Sequence, residues 1–339
     1  MRAAKVTAKA RVELVDVPDP VPGPGEVLVR IRQCGICGSD LHVYRGEWSI
    51  EAKVGHEICG IVERRREGAT RLAEGTRVCA ECFSHCGKCR SCVAGDYNLC
   101  ESISFLPGLE HSGLAEKAVL PAHALFRVPE SFSDAEAMMV EPLAVAFRAV
   151  SRAGVGPEAR VGIIGAGTIG LLCAAAARAA GASRIVIAAR HAHQAALATK
   201  LGADDAVLVG QKDYAQAMRE SGGLDAVIDA AASGTSFSAA LSVARNHGRV
   251  VLVGGITRPM LVGLSPLQNR ELEVTGSECY GLTKGKPDFA HAIELIQSGR
   301  VNAGRLVTHT VPFENVDEAF RTASDKSTGS IKVAVRMAD

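Results

Sequence analysis

Four cysteines lie close together in the first third of the chain, and their spacing is that of a metal site: Cys86, Cys89, Cys92 and Cys100. In a reduced protein such spacing is typical of a tetrahedral zinc ion held by four thiolates. Four protein ligands leave no position for a substrate, so we expect this zinc to be structural. Cys79 and Cys82 form a further pair with the same two-residue spacing, and they could donate to the metal instead.

A second group of metal-binding residue types is spread more widely along the chain. Catalytic zinc keeps one coordination position for water or substrate and therefore uses fewer protein ligands. Cys37, His56 and a carboxylate fit that need, because Glu57 follows the histidine directly and Glu141 lies further along. Asp40 is placed to hold the imidazole of His56, which is the usual requirement of a zinc-binding histidine.

A glycine-rich turn follows an apolar, strand-like segment near the middle of the chain. Its pattern, Gly165-x-Gly167-x-x-Gly170, opens a helix. The glycines let the backbone approach a pyrophosphate, and the start of the helix favours its negative charge. We therefore expect a dinucleotide to bind here, with contacts from Gly165, Gly167, Thr168, Ile169 and Gly170.

The end of the next strand indicates which dinucleotide binds. An acidic residue at this point would bind the ribose 2′-hydroxyl of NAD, but the strand ends in Ala189-Arg190. Without a carboxylate nothing repels a 2′-phosphate, and an arginine can pair with that phosphate through two hydrogen bonds. This predicts a preference for NADP over NAD. The alternative is that Arg190 is an exposed loop residue and that the protein uses NAD.

The elements that must position these residues change character along the chain. Residues 12–29 and the short apolar alternations after them predict strands, which proline and glycine interrupt. Ser133 and Glu136 have the spacing of a capping box at the start of a helix. From Arg160 onward strands and helices alternate, and this predicts a doubly wound parallel sheet.

These patterns predict an α/β protein with two domains. Residues 1–150 should form a β-rich domain with both metal sites, and residues 151–283 should form the dinucleotide-binding domain. The C-terminal residues, 284–339, contain one helix followed by strand-like segments, and we expect them to return to the first domain.

Composition sets further limits on partners and location. The 339 residues are 47% hydrophobic and 22% charged, with a net charge of +1, so neither nucleic acid nor an anionic membrane is an expected partner. The N-terminus lacks the pattern of a signal peptide, and no run approaches the roughly 20 apolar residues of a membrane span. We therefore expect a cytoplasmic protein.

The remaining cysteines should be buried, reduced thiols: Cys34, Cys59, Cys79, Cys82, Cys173 and Cys279.

Taken in order, these motifs resemble the zinc-dependent medium-chain dehydrogenase/reductase (alcohol dehydrogenase) superfamily over nearly the whole chain. The resemblance implies a GroES-like first domain and a Rossmann second domain. Glu141, in Glu-Pro-Leu, stands where typical alcohol dehydrogenases have a cysteine ligand, so the chain is more similar to the sorbitol and threonine dehydrogenase branch. In that branch the glutamate after the histidine can also bind the metal. The resemblance therefore implies that Glu57 and Glu141 share or alternate in the third ligand place beside Cys37 and His56.

The resemblance also implies roles for two residues near Cys37. In the family mechanism zinc lowers the pKa of the alcohol, Ser39 takes the proton, and His42 relays it outward while hydride passes to nicotinamide. Two zinc sites per chain are implied, one catalytic and one structural. Members of the family form dimers or tetramers through the sheet of the nucleotide domain, so we expect a homodimer or homotetramer.

The resulting prediction is a zinc- and NADP-dependent oxidoreductase that acts on a secondary hydroxyl of a polyol, sugar or cyclitol. Activities like those of L-threonine 3-dehydrogenase or an aminocyclitol (2-deoxy-scyllo-inosamine) dehydrogenase remain open, as does a non-catalytic zinc- and nucleotide-binding protein. Only 13 residues separate His42 from His56, fewer than in typical sorbitol dehydrogenases, so a loop facing the substrate is shortened. Residues that could line the substrate pocket are Tyr44, Trp48, Phe105, His111 and Glu278.

Overall fold

The computed structural model describes residues 1–51, 54–69, 72–105, 113–210, 213–220 and 222–338. They form two compact units. The first comprises Met1–Glu141 with Ala303–Asp339, and the second comprises Pro142–Asn302. The boundary expected at residue 150 falls inside a helix, and the one expected at residue 283 falls inside the second unit. A helix that crosses a boundary keeps one hydrophobic period, so the sequence pattern does not change at that point.

Both units contain β-strands. Those of the first half are β1 (Arg2–Ala8), β2 (Arg11–Asp16), β3 (Glu26–Gly35), β4 (Glu57–Arg65), β5 (Arg77–Ala80), β6 (Phe83–Ser84), β7 (Ser104–Phe105), β8 (Lys117–Pro121) and β9 (Leu125–Arg127). Those of the second half are β10 (Arg160–Ile164), β11 (Arg184–Ala189), β12 (Asp205–Leu208), β13 (Leu224–Asp229), β14 (Ala244–Leu252), β15 (Glu273–Gly276), β16 (Leu282–Thr283), β17 (Lys286–Pro287), β18 (Val307–Pro312) and β19 (Lys332–Arg336).

The α-helices lie in both units. In chain order they are α1 (Gly38–Tyr44), α2 (Arg90–Val93), α3 (Asp134–Met138), α4 (Val140–Arg152), α5 (Thr168–Ala179), α6 (Ala192–Lys200), α7 (Tyr214–Glu220), α8 (Gly234–Val243), α9 (Ser265–Asn269), α10 (Asp288–Gln297) and α11 (Val316–Ser324). No helix in the described part of the chain has the length and apolar character needed to cross a membrane.

The first unit is built on a seven-stranded sheet in the order β18-β19-β3-β4-β5-β9, and β8 also pairs with β3. The long strand β3 lies in the middle and pairs with β8 near its start and with β19 near its end. Gly35, the last residue of β3, lies opposite Glu57, the first residue of β4. This antiparallel register brings the segment before Cys37 beside the segment that contains His56.

The second unit contains a six-stranded parallel sheet in the order β12-β11-β10-β13-β14-β15. This confirms the doubly wound sheet that the sequence predicts. The first strand, β10, lies between β11 and β13, so the turn after β10 lies where the strand order reverses. In open parallel sheets ligands bind at such a point. Val186, Val227 and Val250 are fully buried in the core under this sheet.

Candidate functional site

The register of β3 and β4 gathers a group of metal-binding atoms in the first unit. One ligand atom from each of Cys37, His56 and Glu57 lies within 4.8 Å of the others. Glu57 is buried, while Cys37 and His56 are half-buried. A thiol, an imidazole and a carboxylate at this separation can hold one zinc ion and leave a coordination position for another ligand.

Glu141 lies in the first turn of α4 and is buried. Among the described residues it is not part of the group formed by Cys37, His56 and Glu57. Burial raises the pKa of its carboxyl well above the usual range, while His56 acts in the opposite direction. A buried carboxylate that faces a histidine and a cysteine is stabilised when a cation binds between them. The position therefore suits a second carboxylate at the same metal.

Asp40 contributes to the site mainly through the backbone. Its buried carboxylate accepts hydrogen bonds of 2.8 Å from the N–H groups of Cys37 and Gly55. The distance from its Oδ1 to His56 Nδ1 is 3.7 Å, which is longer than a hydrogen bond. Asp40 thus fixes the two loop segments that carry Cys37 and His56, and its effect on the imidazole is electrostatic.

The charges around His56 favour a cation. Burial alone would lower the pKa of its imidazole, but Cys37, Asp40 and Glu141 raise that pKa well above its usual value. Acidic groups therefore surround the imidazole of His56. A divalent cation would satisfy the same groups, so the residues present fit a bound zinc ion.

Helix α1 carries Ser39 and His42 one turn apart, so their side chains share a face of the helix. His42 Nδ1 lies in hydrogen-bonding contact with Glu47 Oε2, and the ring of His42 stacks on Trp48 at 5.0 Å. An ionised carboxylate only accepts, so His42 Nδ1 donates and Nε2 is left as the basic nitrogen. Glu47 was missed in the sequence, since no motif marks a glutamate five residues after a histidine.

The four cysteines of the predicted structural site come together as a group, with all four sulfurs within 4.8 Å of one another. A tetrahedral zinc with Zn–S bonds of about 2.3 Å separates its sulfurs by about 3.8 Å. The sulfurs of Cys86 and Cys92 are 3.9 Å apart. Backbone N–H groups of Lys88 and Cys89 lower the pKa of Cys86 to about 6, which favours the thiolate that zinc requires.

The second two-residue cysteine pair lies elsewhere in the fold. Cys79 is buried in β5 opposite Cys59, and Cys79 Sγ donates to the carbonyl oxygen of Phe126 at 3.8 Å. Neither Cys79 nor Cys82 belongs to the four-sulfur group found in the described residues. Cys34, Cys59 and Cys173 are also buried free thiols, as predicted, whereas Cys279 is half-buried.

The glycine turn of the second unit has the shape that the sequence predicts. A side chain at Gly170 would place its Cβ 1.8 Å from the carbonyl oxygen of Gly165, so only glycine allows α5 to pack this close to β10. A Cβ at Gly167 would meet no atom within 4 Å, which leaves open space at the start of α5. Backbone N–H groups beside open space can receive a pyrophosphate.

Ala189 and Arg190 lie at the end of β11. Ala189 is fully buried, whereas Arg190 is exposed directly after the strand. The next residue, His191, caps α6 and stacks on His193 at 5.4 Å. The end of β11 therefore carries a guanidinium and no carboxylate in Ala189-Arg190, and these two residues can accommodate a cofactor with or without a 2′-phosphate.

Two candidates for the substrate pocket pack against aromatic rings of the first unit. Tyr44 is buried against Phe320, and Trp48 packs on His42. Phe105 is exposed and contacts Phe83 edge to face, and His111 lies outside the described residues.

Lys332 is a further residue near the metal group that the sequence did not reveal. Its ammonium group donates to both carboxylate oxygens of Glu57, at 2.5 and 2.6 Å. It begins the apolar strand β19, where an alternating pattern predicts only packing. A lysine at a buried position of a strand is the signal that could have indicated a charged partner.

A metal-binding group in the first unit and a glycine turn in the second are each typical of zinc-dependent alcohol dehydrogenases, and the comparisons with known proteins show that class. Residues 23–130 match the alcohol dehydrogenase GroES-like domain, and residues 168–298 match the zinc-binding dehydrogenase family. L-idonate 5-dehydrogenase of Vitis vinifera is 36% identical, over 93% of this chain and 88% of its own. Sorbitol dehydrogenase of Arabidopsis thaliana is also 36% identical, over 93% and 89%.

Solved structures agree with this classification. A protein of Sinorhizobium meliloti 1021, described as a zinc-binding dehydrogenase and bound to NADP, has a TM-score of 0.88 and 29% identity. The alignment covers 99% of this chain and 98% of that one. The chain belongs to the zinc-dependent medium-chain dehydrogenase/reductase superfamily, within its polyol dehydrogenase branch.

Proposed function

We propose that the protein oxidises a secondary hydroxyl of a polyol, sugar or cyclitol with NADP⁺, or reduces the corresponding ketone with NADPH. The group of Cys37, His56 and Glu57 carries this proposal, because an open metal site is what an alcohol dehydrogenase needs. Relatives named for L-idonate and sorbitol support a polyhydroxylated substrate. The free, reduced cysteines support a cytoplasmic location.

The test is zinc content together with NADP⁺- and NAD⁺-linked oxidation of a panel of polyols, cyclitols and amino alcohols. Turnover of polyols or cyclitols with NADP⁺ supports the proposal. Preferential turnover of threonine or an aminocyclitol would replace the substrate class and keep the chemistry. Bound zinc without turnover of any member would favour a non-catalytic protein.

Cys37 and His56 would hold the catalytic zinc, with Glu57 and Glu141 as the candidates for the third place. Bound zinc supplies a Lewis acid that makes an alcohol hydroxyl more acidic, and bound NADP⁺ supplies the acceptor for hydride. Ser39 Oγ would accept the proton that the hydroxyl loses while its own O–H proton is passed on. His42 Nε2 would accept that proton and pass it outward, and Glu47 holds the ring in the tautomer that leaves Nε2 able to accept it. His42 is partly exposed, so the proton can pass to water.

Replacing Ser39 by alanine should lower kcat by about 10²-fold or more, because general base catalysis contributes on that scale. Zinc content should not change, since Ser39 is not a ligand. The measurement is steady-state kinetics with metal analysis on the same preparation. Ser49→Ala, at an exposed serine of the next loop, is the matched control and should keep full activity. A fully active Ser39→Ala enzyme would remove Ser39 from the mechanism.

Replacing Arg190 by alanine should weaken NADP⁺ binding by about 10- to 100-fold and leave NAD⁺ binding nearly unchanged. A bidentate, charge-assisted contact with the 2′-phosphate is worth about 1.5–3 kcal/mol, and NAD lacks that phosphate. Fluorescence titration with both cofactors measures the effect. Arg184→Ala is the control, because the Arg184 guanidinium pairs with Asp205 at 2.5 Å. Tighter binding of NAD⁺ than NADP⁺ by the unaltered protein would contradict the assignment.

A second copy of the chain is the proposed protein partner. Strand β15 ends the parallel sheet, and its Val274 is partly exposed. The segment that precedes β15 in the sequence contains exposed apolar side chains: Leu261 is 99% exposed, and Ile256 and Leu264 are also exposed. A sheet edge with no further strand among the described residues, beside exposed apolar side chains, is the kind of surface that dimers bury. The mass in solution tests this, and Leu261→Asp should shift it toward the monomer.

A further inference from the structure

Lys332 forms hydrogen bonds to two parts of the metal group that are separated in the sequence. The side chain is 3% exposed, and its partner Glu57 is 1% exposed. Besides both oxygens of Glu57, the ammonium donates to the carbonyl oxygen of Ile36 at 2.9 Å. All three of its hydrogen bonds are therefore made inside the first unit, away from water.

The two segments that Lys332 joins are those that carry the metal-binding residues. Ile36 directly precedes Cys37, and Glu57 directly follows His56. The backbone supports the same arrangement, because Ile36 N–H donates to the carbonyl oxygen of Val333 at 2.9 Å. A Cβ at Gly35 would lie 2.0 Å from Glu57 Oε2, so the carboxylate reaches this position only because residue 35 is glycine.

The charge of Lys332 acts on the whole group. Its buried ammonium donates to the Glu57 carboxylate on one side and to the carbonyl oxygen of the residue before Cys37 on the other. Its positive charge offsets part of the mutual repulsion that would otherwise spread Cys37, Glu57 and Glu141 apart in the absence of a metal.

We propose that Lys332 is a positioning residue that holds the segments of Cys37 and His56 in register and presents Glu57 to the open metal site. The inference rests on the proposed function, because it assumes that this group binds zinc. It adds a residue from the last strand of the chain to a site otherwise formed by two loops and the start of α4. The competing possibility is that Lys332 competes with the metal for Glu57, and the two possibilities predict opposite changes in zinc affinity.

The test is zinc binding at the open site of the full-length protein, with wild-type, K332M and K332R compared by chelator competition. Loss of an outer partner of a metal ligand costs about 10- to 100-fold in affinity, so K332M should weaken zinc by that factor. K332R should restore most of it. The absorption bands of the cobalt-substituted protein should shift in K332M, which a merely structural role would not cause. Unchanged or tighter zinc binding in K332M would overturn the proposal.

A pair of variants keeps the test decisive if K332M does not fold. E57Q removes the buried carboxylate, so adding K332M to it leaves no unpaired buried charge. The double variant should bind zinc more weakly than E57Q alone, because Lys332 still joins residue 57 to Ile36 in the single variant. Equal affinities would overturn the proposal. If wild-type itself binds only the structural zinc and oxidises no alcohol, the proposed function fails instead.

Discussion

Replacing Cys37 by alanine should remove about one zinc ion per chain and lower kcat/KM by at least about 10³-fold. A catalytic zinc stabilises developing charge by several kcal/mol, and each 1.36 kcal/mol is tenfold in rate. Alanine offers no donor in place of the thiolate, so the site loses its only sulfur ligand and keeps His56 with one carboxylate in the third place, which is too few for a tight site. Metal analysis and steady-state kinetics on one preparation measure both effects.

The fold should survive this change. Cys37 is half-buried and precedes α1, and the hydrogen bond from its backbone N–H to Asp40 does not depend on the side chain. Cys173→Ala is the matched control, because this buried thiol lies in the second unit and donates only to the carbonyl oxygen of Ala146 at 3.9 Å. It should keep full zinc content and activity. A Cys37→Ala enzyme with normal zinc and turnover would mean that the catalytic ligands lie elsewhere.

Local features were the most predictable from the sequence. The capping box of Ser133 and Glu136 is confirmed at the start of α3. The one helix predicted in residues 284–339 is present as α10, but a second helix there, α11, was not predicted. Both predicted features depend on signals within a few residues: a side chain that satisfies a nearby backbone group, or one hydrophobic period. Strand β12 and helices α7 and α8 were not identified individually, although alternation of strands and helices predicts such elements.

The catalytic group was predictable in its residue types and only partly in its geometry. Cysteine, histidine and glutamate beside small residues indicate a metal, but proximity of Cys37 to His56 follows from the pairing of Gly35 with Glu57 across two strands. The contact between Lys332 and Glu57 joins residues 275 positions apart. No periodic pattern encodes a side-chain contact over that distance, because the tertiary fold creates it.

Replacing Cys89 by alanine should remove the structural zinc and lower Tm by at least about 5 °C, while kcat of the folded enzyme changes little. No residue of α2 is buried, and Val93 and Leu99 are largely exposed, so apolar packing contributes little to α2 itself, whereas Tyr97 is buried. Helix α2 therefore depends on the metal, whose binding free energy is folding free energy. For a unit of this size each 1 kcal/mol shifts Tm by about 2–4 °C.

The measurement is a thermal melt with zinc analysis, compared with Cys79→Ala as the matched control. The side chain of Cys79 is more deeply buried than that of Cys89. Packing alone therefore predicts that Cys79→Ala lowers Tm more than Cys89→Ala does. Loss of the metal predicts that Cys89→Ala lowers Tm more, since Cys89 belongs to the four-sulfur group and Cys79 does not. Loss of zinc and a lower Tm in Cys89→Ala, with normal zinc in Cys79→Ala, is the expected pair of results. A normal Tm and full zinc content in Cys89→Ala would contradict the four-thiolate site and return Cys79 and Cys82 to consideration as ligands.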